Sequence, residues 1–273
     1  MNRVMKLSAP VSPARKRTLF LILGILLFLP PLSLVPQFFG AVGFCGTWCP
    51  RMFLKLSPPG RIFASTYMGV ALVTALLAVT AWRGRYWCSH VCPIGGVTEL
   101  GSRAVPKRGK LDFSWIHAPS LRYGYLAVFL LAPVLGLGSI CCNLCNFSVV
   151  PKLFAAPFEP ASRAYFLTTM GGINLASIGV LGFMARGGRA YCNLMCPVGA
   201  IDSVVNVAAA RLGRPRVRVD ADKCNGCGDC VVPCPVWAIE MTDDKARISQ
   251  ASCLPCGLCA EACPEEAIVH GRV

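Results

Sequence analysis

Eight cysteines near the C-terminus constrain the chain more than any other feature. They form two runs with the same spacing, C-x2-C-x2-C-x3-C, and proline follows each run directly. The first run is Cys224, Cys227, Cys230 and Cys234, and the second is Cys253, Cys256, Cys259 and Cys263. Zinc-binding cysteines usually come as separated C-x2-C pairs without a third cysteine and a C-P ending. The spacing therefore predicts iron–sulfur ligation rather than zinc binding.

The same spacing is found in bacterial ferredoxins with two [4Fe–4S] clusters, where the fourth cysteine of each run binds the other cluster. The first ferredoxin set is accordingly predicted to be Cys224, Cys227, Cys230 and Cys263, and the second Cys253, Cys256, Cys259 and Cys234. Gly226, Gly228 and Gly257 lie inside the runs, where the lack of a side chain lets backbone N–H groups approach cluster sulfurs.

Residues 215–273 differ from the rest of the chain in charge, which marks a domain boundary near residue 215. They contain 6 Lys and Arg against 9 Asp and Glu, whereas residues 1–214 contain 21 against 4. Short strands are predicted near Arg216–Val219, Ala238–Met241 and Arg247–Ser249, as in a small α+β two-cluster ferredoxin domain. The basic residues form no continuous face, so no nucleic-acid partner is expected.

The composition of the N-terminal part predicts a membrane domain. The chain is 55% hydrophobic, which is high for an ordinary soluble domain. A helix needs about 20 apolar residues to cross a bilayer. Four stretches have this length: Thr18–Phe39, Ile62–Trp82, Ser120–Ile140 and Tyr165–Ala185. We therefore predict a basic segment over residues 1–17 and a polytopic α-helical domain of four transmembrane helices over residues 18–214.

The distribution of basic residues predicts the orientation of this domain. Segments 1–17, 83–118 and 186–214 hold five, six and four Lys and Arg, whereas segments 41–61 and 141–164 hold three and two. Cytoplasmic loops carry the excess of basic residues. The expected location is thus the bacterial inner (cytoplasmic) membrane, with several spans and with both termini in the cytoplasm.

Further cysteines belong to an internal repeat of this domain. The segments that begin at Gly84 and Gly188 read G-R-Y-W-C-S-H-V-C-P-I-G-G and G-R-A-Y-C-N-L-M-C-P-V-G-A, and looser C-x3-C pairs follow the first and third predicted spans. The predicted topology places four cysteines at each membrane face. The inner quartet is Cys88, Cys92, Cys192 and Cys196, and the outer quartet is Cys45, Cys49, Cys141 and Cys145.

Both quartets leave more than one chemistry open. Cysteines four residues apart share a helix face, and a proline after the second suits a helix start, where the helix dipole favours a thiolate. The inner quartet is compatible with an iron–sulfur or other metal site, with metal-free redox chemistry or an interaction role, and with buried packing. At the outer quartet, disulfides or thiol redox chemistry compete with a cluster or copper, because that face is oxidising.

Other redox cofactors are not expected to be bound by the chain itself. The sequence contains no C-x-x-C-H haem attachment motif, no histidine within the predicted spans and no G-x-G-x-x-G or P-loop motif. His90 and His117 are candidates to border a quinone headgroup, since imidazole can take up quinol protons. The alternative interpretation for both is an ordinary loop or interface position.

Four spans, the motifs Cys88–Pro93 and Cys192–Pro197, and the C-terminal two-cluster domain together resemble the NapH-type membrane ferredoxins. The resemblance implies a quinol dehydrogenase component that exchanges electrons with quinone and delivers them toward periplasmic reductases, with cytochrome-type or ferredoxin-like redox partners in a membrane complex. Similar modules occur in NosR, MauN and CcoG. The alternatives are therefore a NosR-like redox maturation protein and a CcoG-like copper reductase that uses the outer quartet. The outer quartet departs from the simplest NapH pattern.

Overall fold

The structure is a computed structural model that describes residues 13–28, 64–135 and 146–271. Helices dominate the N-terminal part. In chain order they are α1 (Pro13–Phe28), α2 (Ala64–Arg83), α3 (Pro93–Ala104), α4 (Ala118–Val134), α5 (Asn146–Ala155), α6 (Pro160–Leu167), α7 (Thr169–Ser177), α8 (Ala190–Leu194) and α9 (Pro197–Arg211). Short turns connect them: π-helical at Trp87–Val91 and Ile178–Phe183, and 3-10 at Lys107–Gly109 and Arg186–Gly188.

The two copies of the repeat fold alike around their C-x3-C-P motifs. Helices α3 and α9 both begin at the proline of the motif, and the preceding cysteine, Cys92 or Cys196, is the N-cap residue. Proline is favoured at this position because its missing N–H would have no partner in the first helical turn. The predicted helix starts are confirmed. Helix α3 packs against α1 and against the turn Ile178–Phe183.

The fourth predicted span differs from the continuous helix expected over Tyr165–Ala185. Helices α6 and α7 meet at Thr168, whose backbone is extended and whose Oγ1 accepts a hydrogen bond from the N–H of Gly171 at 3.1 Å. Among the described residues, no single helix is long and apolar enough to cross a bilayer. Helix α6 together with Thr169–Phe183 meets both conditions, with an 87° bend between them.

The C-terminal part contains two antiparallel strand pairs. Strand β1 (Arg216–Val219) pairs with β4 (Ile268–Gly271), and β2 (Ile239–Thr242) pairs with β3 (Lys245–Ile248). A short helix, α10 (Leu258–Ala262), precedes β4.

The predicted bounds of the first strand agree with β1. The predicted bounds of the other two strands differ from those of β2 and β3 by one or two residues, and β4 was not predicted. The shift comes from the turn between β2 and β3. Its residues Asp243 and Asp244 have φ angles of 51° and 55°, as in a two-residue hairpin turn, and such a turn fixes the register.

Buried arginines join the two parts across the predicted boundary. Arg216 donates to the carbonyl oxygen of Thr80 at 3.0 Å and to Oδ1 of Asn206 at 2.7 Å, so a residue of β1 satisfies the C-terminal end of α2. In the other direction, Arg122 of α4 donates to the carbonyl oxygen of Ala251 at 2.7 Å. The residues on either side of position 215 therefore form one packed interface.

Two buried ion-pair groups connect the repeats. Glu99 on α3 binds Arg17 at 2.5 Å and Arg189, from the second copy, at 2.9 Å; Asp202 on α9 binds Arg85, from the first copy, at 3.2 Å. The pKa of Glu99 falls from 4.5 to about 2, because the two arginines outweigh the opposing effect of burial. Its stabilising contribution is therefore complete above pH 4.5 and is lost as the pH falls toward 2.

We predict that Glu99→Gln lowers the free energy of unfolding at pH 7 by about 3–5 kcal/mol, because it leaves two buried arginines without their countercharge. Thermal unfolding of the full chain measures this. The matched control is Asp112→Asn, which breaks an ion pair with Arg186 whose side chains are 44% and 43% exposed, and which should cost about 0–1 kcal/mol. Equal losses in the two variants would contradict the importance of the buried group.

Candidate iron–sulfur centres

The four cysteines of the inner quartet surround one cavity. Cys88 belongs to the turn Trp87–Val91, Cys192 lies on α8, and Cys92 and Cys196 precede α3 and α9. The repeat thus contributes one pair of thiols from each copy. Val236 and Leu254, from the C-terminal part, complete the apolar wall of the cavity.

The backbone around this cavity favours negative charge. The N-termini of α3 and α9 both lie at the cavity, since their N-cap residues line it. The N–H of Gly199 donates to Sγ of Cys196 at 3.3 Å. Free N–H groups and the helix dipole at an N-terminus stabilise a thiolate or another anion.

Two arginines also line the cavity. Burial alone would lower the pKa of Arg85, but the thiol of Cys88 and the carboxylate of Asp202 raise it. The pKa of Arg189 is raised as well, because Glu99 and the neighbouring thiols outweigh burial. Both guanidinium groups therefore stay charged, and they provide the positive charge that an anionic group in the cavity requires.

The thiols themselves do not ionise easily. Burial and the nearby Asp202 raise the pKa of Cys88 well above its usual value. Burial, followed by the neighbouring Cys192, raises the pKa of Cys92 to about 11. A bound metal deprotonates such cysteines by supplying positive charge directly. Four convergent thiols, two arginines and two helix N-termini fit an iron–sulfur cluster, which is an anionic group held by thiolates.

The structure brings the first ferredoxin set together around a second cavity. Its lining contains all four predicted cysteines: Cys224, Cys227, Cys230 and Cys263. Cys263 comes from the second run and reaches the cavity at the end of α10. The fourth cysteine of the second run thus lies with the first three cysteines of the first run, as the spacing predicts. Cys227 is exposed, whereas Cys230 is buried.

The second ferredoxin set is also grouped. Burial raises the pKa of Cys253 strongly, and the adjacent thiols of Cys256, Cys259 and Cys234 raise it further. For Cys259 the same causes, burial first, raise the pKa to about 12. Cys230 of the first set also acts on Cys259, so the two ferredoxin sets lie next to each other.

Backbone conformation in both runs supports close approach to sulfur. Gly226, Gly228 and Gly257 have φ angles of 79°, 77° and 79°, which non-glycine residues rarely adopt. The N–H of Ala238 donates to Sγ of Cys234 at 3.3 Å, and the N–H of Ala267 donates to Sγ of Cys263 at 3.4 Å. Hydrogen bonds of this kind to cluster sulfurs and thiolates set reduction potentials.

The inner quartet adjoins the second ferredoxin set. Cys88 packs against an apolar cluster that contains Val236, Leu254 and Cys253. Val236 and Leu254 also line the cavity of the inner quartet. The three groups of cysteines therefore follow one another in the order inner quartet, second ferredoxin set, first ferredoxin set, and the side chains of Val236 and Leu254 lie between the first two groups.

The remaining predicted positions are the outer quartet and two histidines. The outer quartet of Cys45, Cys49, Cys141 and Cys145 lies outside the described residues. His90 stacks on Tyr86, with ring centroids 4.1 Å apart, and His117 is hydrogen-bonded to Ser120 at 2.7 Å. In the described part of the chain, no three His, Cys, Asp or Glu side chains are arranged to hold a single metal ion.

The ion pairs around the inner quartet were not predicted from the sequence. Arg85 and Arg189 follow a glycine in both copies of the repeat, and this shared Gly-Arg pair was a usable signal. Glu99 and Asp202 are two of only 4 acidic residues in positions 1–214. Their isolation within an apolar segment was the second signal, because a lone acidic residue there needs a partner.

Two protein families match the chain in the segments that carry these cysteines. The 4Fe-4S binding domain family matches twice, at residues 65–111 and 170–216, and each match contains one pair of the inner quartet. The 4Fe-4S dicluster domain family matches residues 216–264, which contain both ferredoxin sets. Both family matches support iron–sulfur cluster binding.

Curated relatives agree with this result. The methylamine utilization ferredoxin-type protein MauN of Methylobacillus flagellatus is 30% identical over 67% of this chain and 62% of its own length. The ferredoxin-type protein NapH of Escherichia coli is 27% identical over 68% of this chain and 59% of its own. The chain is a ferredoxin-type iron–sulfur protein related to NapH and MauN.

This NapH- and MauN-related chain also resembles the putative electron transport protein YccM of Escherichia coli, at 27% identity over 69% of the chain and 53% of YccM. The chain spans less than two thirds of the length of each of these three relatives. No solved structure matches it.

The crossed ligand sets predict how single cysteine variants group. Cys263→Ser should give the same electron paramagnetic resonance (EPR) spectrum and iron content as Cys224→Ser, because both residues belong to the first ferredoxin set, and each variant should lose about four iron atoms per chain. Cys142→Ser, outside every predicted set, is the control and should match wild type. If Cys263→Ser instead resembles Cys253→Ser, the sets are not crossed.

Proposed function

We propose that the chain is a membrane-anchored iron–sulfur protein and a NapH-like component of a quinol dehydrogenase, which passes electrons between the quinone pool and a periplasmic redox partner. The observation that carries the proposal is the contiguity of the inner quartet and the two ferredoxin sets. A contiguous series of redox sites is what a conduit between a membrane substrate and a protein partner requires. A [4Fe–4S] cluster supplies one-electron chemistry when it is bound.

The residues divide into three tasks along this series. The inner quartet holds the site nearest the predicted membrane helices, where electrons are exchanged with the quinone side. The second ferredoxin set, buried around Cys253, relays them. The first ferredoxin set lies farthest from the inner quartet, and the exposed Cys227 marks the point where a redox protein on the cytoplasmic side exchanges electrons with it. The outer quartet would extend the route to the periplasmic face.

Exposed apolar side chains support membrane anchoring. Large hydrophobic residues usually stay buried, and contiguous exposed patches mark contact with a membrane or a partner. Helix α1 exposes one such group: Leu19, Phe20, Ile22, Leu23 and Leu26. Leu121, Val128 and Leu131 on α4 and Ile173 and Leu175 on α7 are exposed as well. These helices coincide with three of the four predicted spans.

The expected result of the decisive experiment is reduction by quinol. Menaquinol or ubiquinol analogues are added to the purified full chain in detergent, with and without the membrane fraction. They should reduce the clusters, and the loss of visible absorbance measures this reduction. The variant Cys192→Ser should lose this reduction, while dithionite still reduces its ferredoxin clusters, because it removes the entry site alone.

Two controls make the result interpretable. Cys142→Ser should behave as wild type, which excludes a general effect of cysteine replacement. Loss of dithionite reduction in Cys192→Ser would mean that the ferredoxin sets were damaged as well, and Cys88→Ser would then replace it. Wild-type clusters that no quinol reduces, with or without the membrane fraction, would contradict the proposed function.

A further inference from the structure

Arg189 lines the cavity of the inner quartet, and one of its nitrogens has no partner among the described residues. The side chain is 1% exposed and lines the cavity beside Cys92 and Cys192. Its Nε donates to Glu99 at 2.9 Å and its Nη1 donates to the carbonyl oxygen of Cys88 at 2.8 Å. Nη2 is buried and has no hydrogen-bond partner in the part of the chain that the structure describes. A buried charged donor without an acceptor is costly, so this nitrogen calls for a ligand.

The equivalent arginine of the other repeat shows the contrast. Arg85 uses all three nitrogens: Nε on Asp202 at 3.2 Å, Nη1 on the carbonyl oxygen of Ser252 at 3.2 Å and Nη2 on that of Gly199 at 3.2 Å. The carbonyl of Ser252 directly precedes Cys253, so Arg85 ties the repeat to the second ferredoxin set. Every nitrogen of Arg85 thus has an acceptor, whereas Nη2 of Arg189 has none among the described residues.

A glycine in the motif makes room for Arg189. Gly95 is the third residue of α3, and a Cβ there would lie 1.8 Å from Nη1 of Arg189. Gly199 occupies the same position of α9, and a Cβ there would lie 3.2 Å from Nη2 of Arg85. The sequence C-P-x-G in each copy therefore lets the arginine of the other copy lie across the start of the helix.

We propose that Arg189 is a positioning residue for the inner quartet, and that its Nη2 donates a hydrogen bond to a sulfur of a [4Fe–4S] cluster bound there. The inference rests on the proposed function, because it takes the inner quartet as cluster ligands. One-electron reduction adds one negative charge to the cluster and breaks no bond. A positive donor stabilises the reduced form more than the oxidised form, so Arg189 raises the reduction potential of this cluster.

The test is a redox titration of the full chain followed by EPR. In Arg189→Met the inner-quartet cluster should titrate at a lower potential, with at least a tenfold smaller ratio of reduced to oxidised cluster at a fixed ambient potential, which corresponds to about 59 mV for one electron. The ferredoxin clusters should keep their potentials. Arg189→Lys, which keeps the charge, should recover most of the shift.

A second variant separates this role from a folding effect. Gly95→Ala forces the guanidinium of Arg189 to move without changing its charge, and should also lower the potential of the inner-quartet cluster. The matched control is Gly124→Ala on α4, because a Cβ at Gly124 meets nothing within 4 Å. Its potentials should equal those of wild type.

The outcomes are distinguishable. An inner-quartet signal that titrates at the wild-type potential in Arg189→Met overturns the role of Arg189 and leaves the proposed function standing. If Arg189→Met does not fold, Gly95→Ala decides: a wild-type potential in Gly95→Ala overturns the proposal, and a lowered potential supports it. If wild type and Cys192→Ser give the same EPR signals, the inner quartet holds no cluster. This result overturns the cluster assignment itself.

Discussion

The crossed ion pairs between the two repeats are the interaction on which the cysteine sites depend. Glu99 of one copy holds Arg189 of the other, and Asp202 holds Arg85 in return. These pairs draw α3 and α9 together at their N-terminal ends, where the four thiols of the inner quartet meet. Buried charges are tolerated only when they are paired and hydrogen-bonded. The same groups therefore fix the geometry of the cavity and supply its positive charge.

The repeat also explains how the two parts of the chain are joined. Each arginine follows the glycine at the start of its copy of the repeat, and its side chain binds a carboxylate of the other copy. Both arginines line the cavity, and Arg85 also donates to the carbonyl oxygens of Ala251 and Ser252, which precede Cys253. The two related residues thus differ, because Arg85 alone joins the repeat to the ferredoxin part. This division agrees with the contiguity of the three groups of cysteines.

The sequence indicates some of these features and leaves others hidden for physical reasons. Cysteine spacing within a run is local, so the two ferredoxin sets and the helix starts at Pro93 and Pro197 follow from it. The pairing of Glu99 with Arg189 joins residues 90 positions apart, and no local pattern records it. Strand β4 was missed because its pairing with β1 also joins residues that are far apart in the sequence, such as Arg216 and Gly271. The bend at Thr168 depends on a single side chain that caps α7, within a stretch that contains no charged residue.

The central claim is that this chain binds a cluster at the inner quartet in addition to those of its ferredoxin part. Iron and acid-labile sulfide per chain, measured on the purified full-length protein, test it most directly. The account predicts about twelve iron atoms in wild type and about eight when Cys88, Cys92, Cys192 and Cys196 are all replaced by serine. About eight iron atoms in both proteins would contradict it.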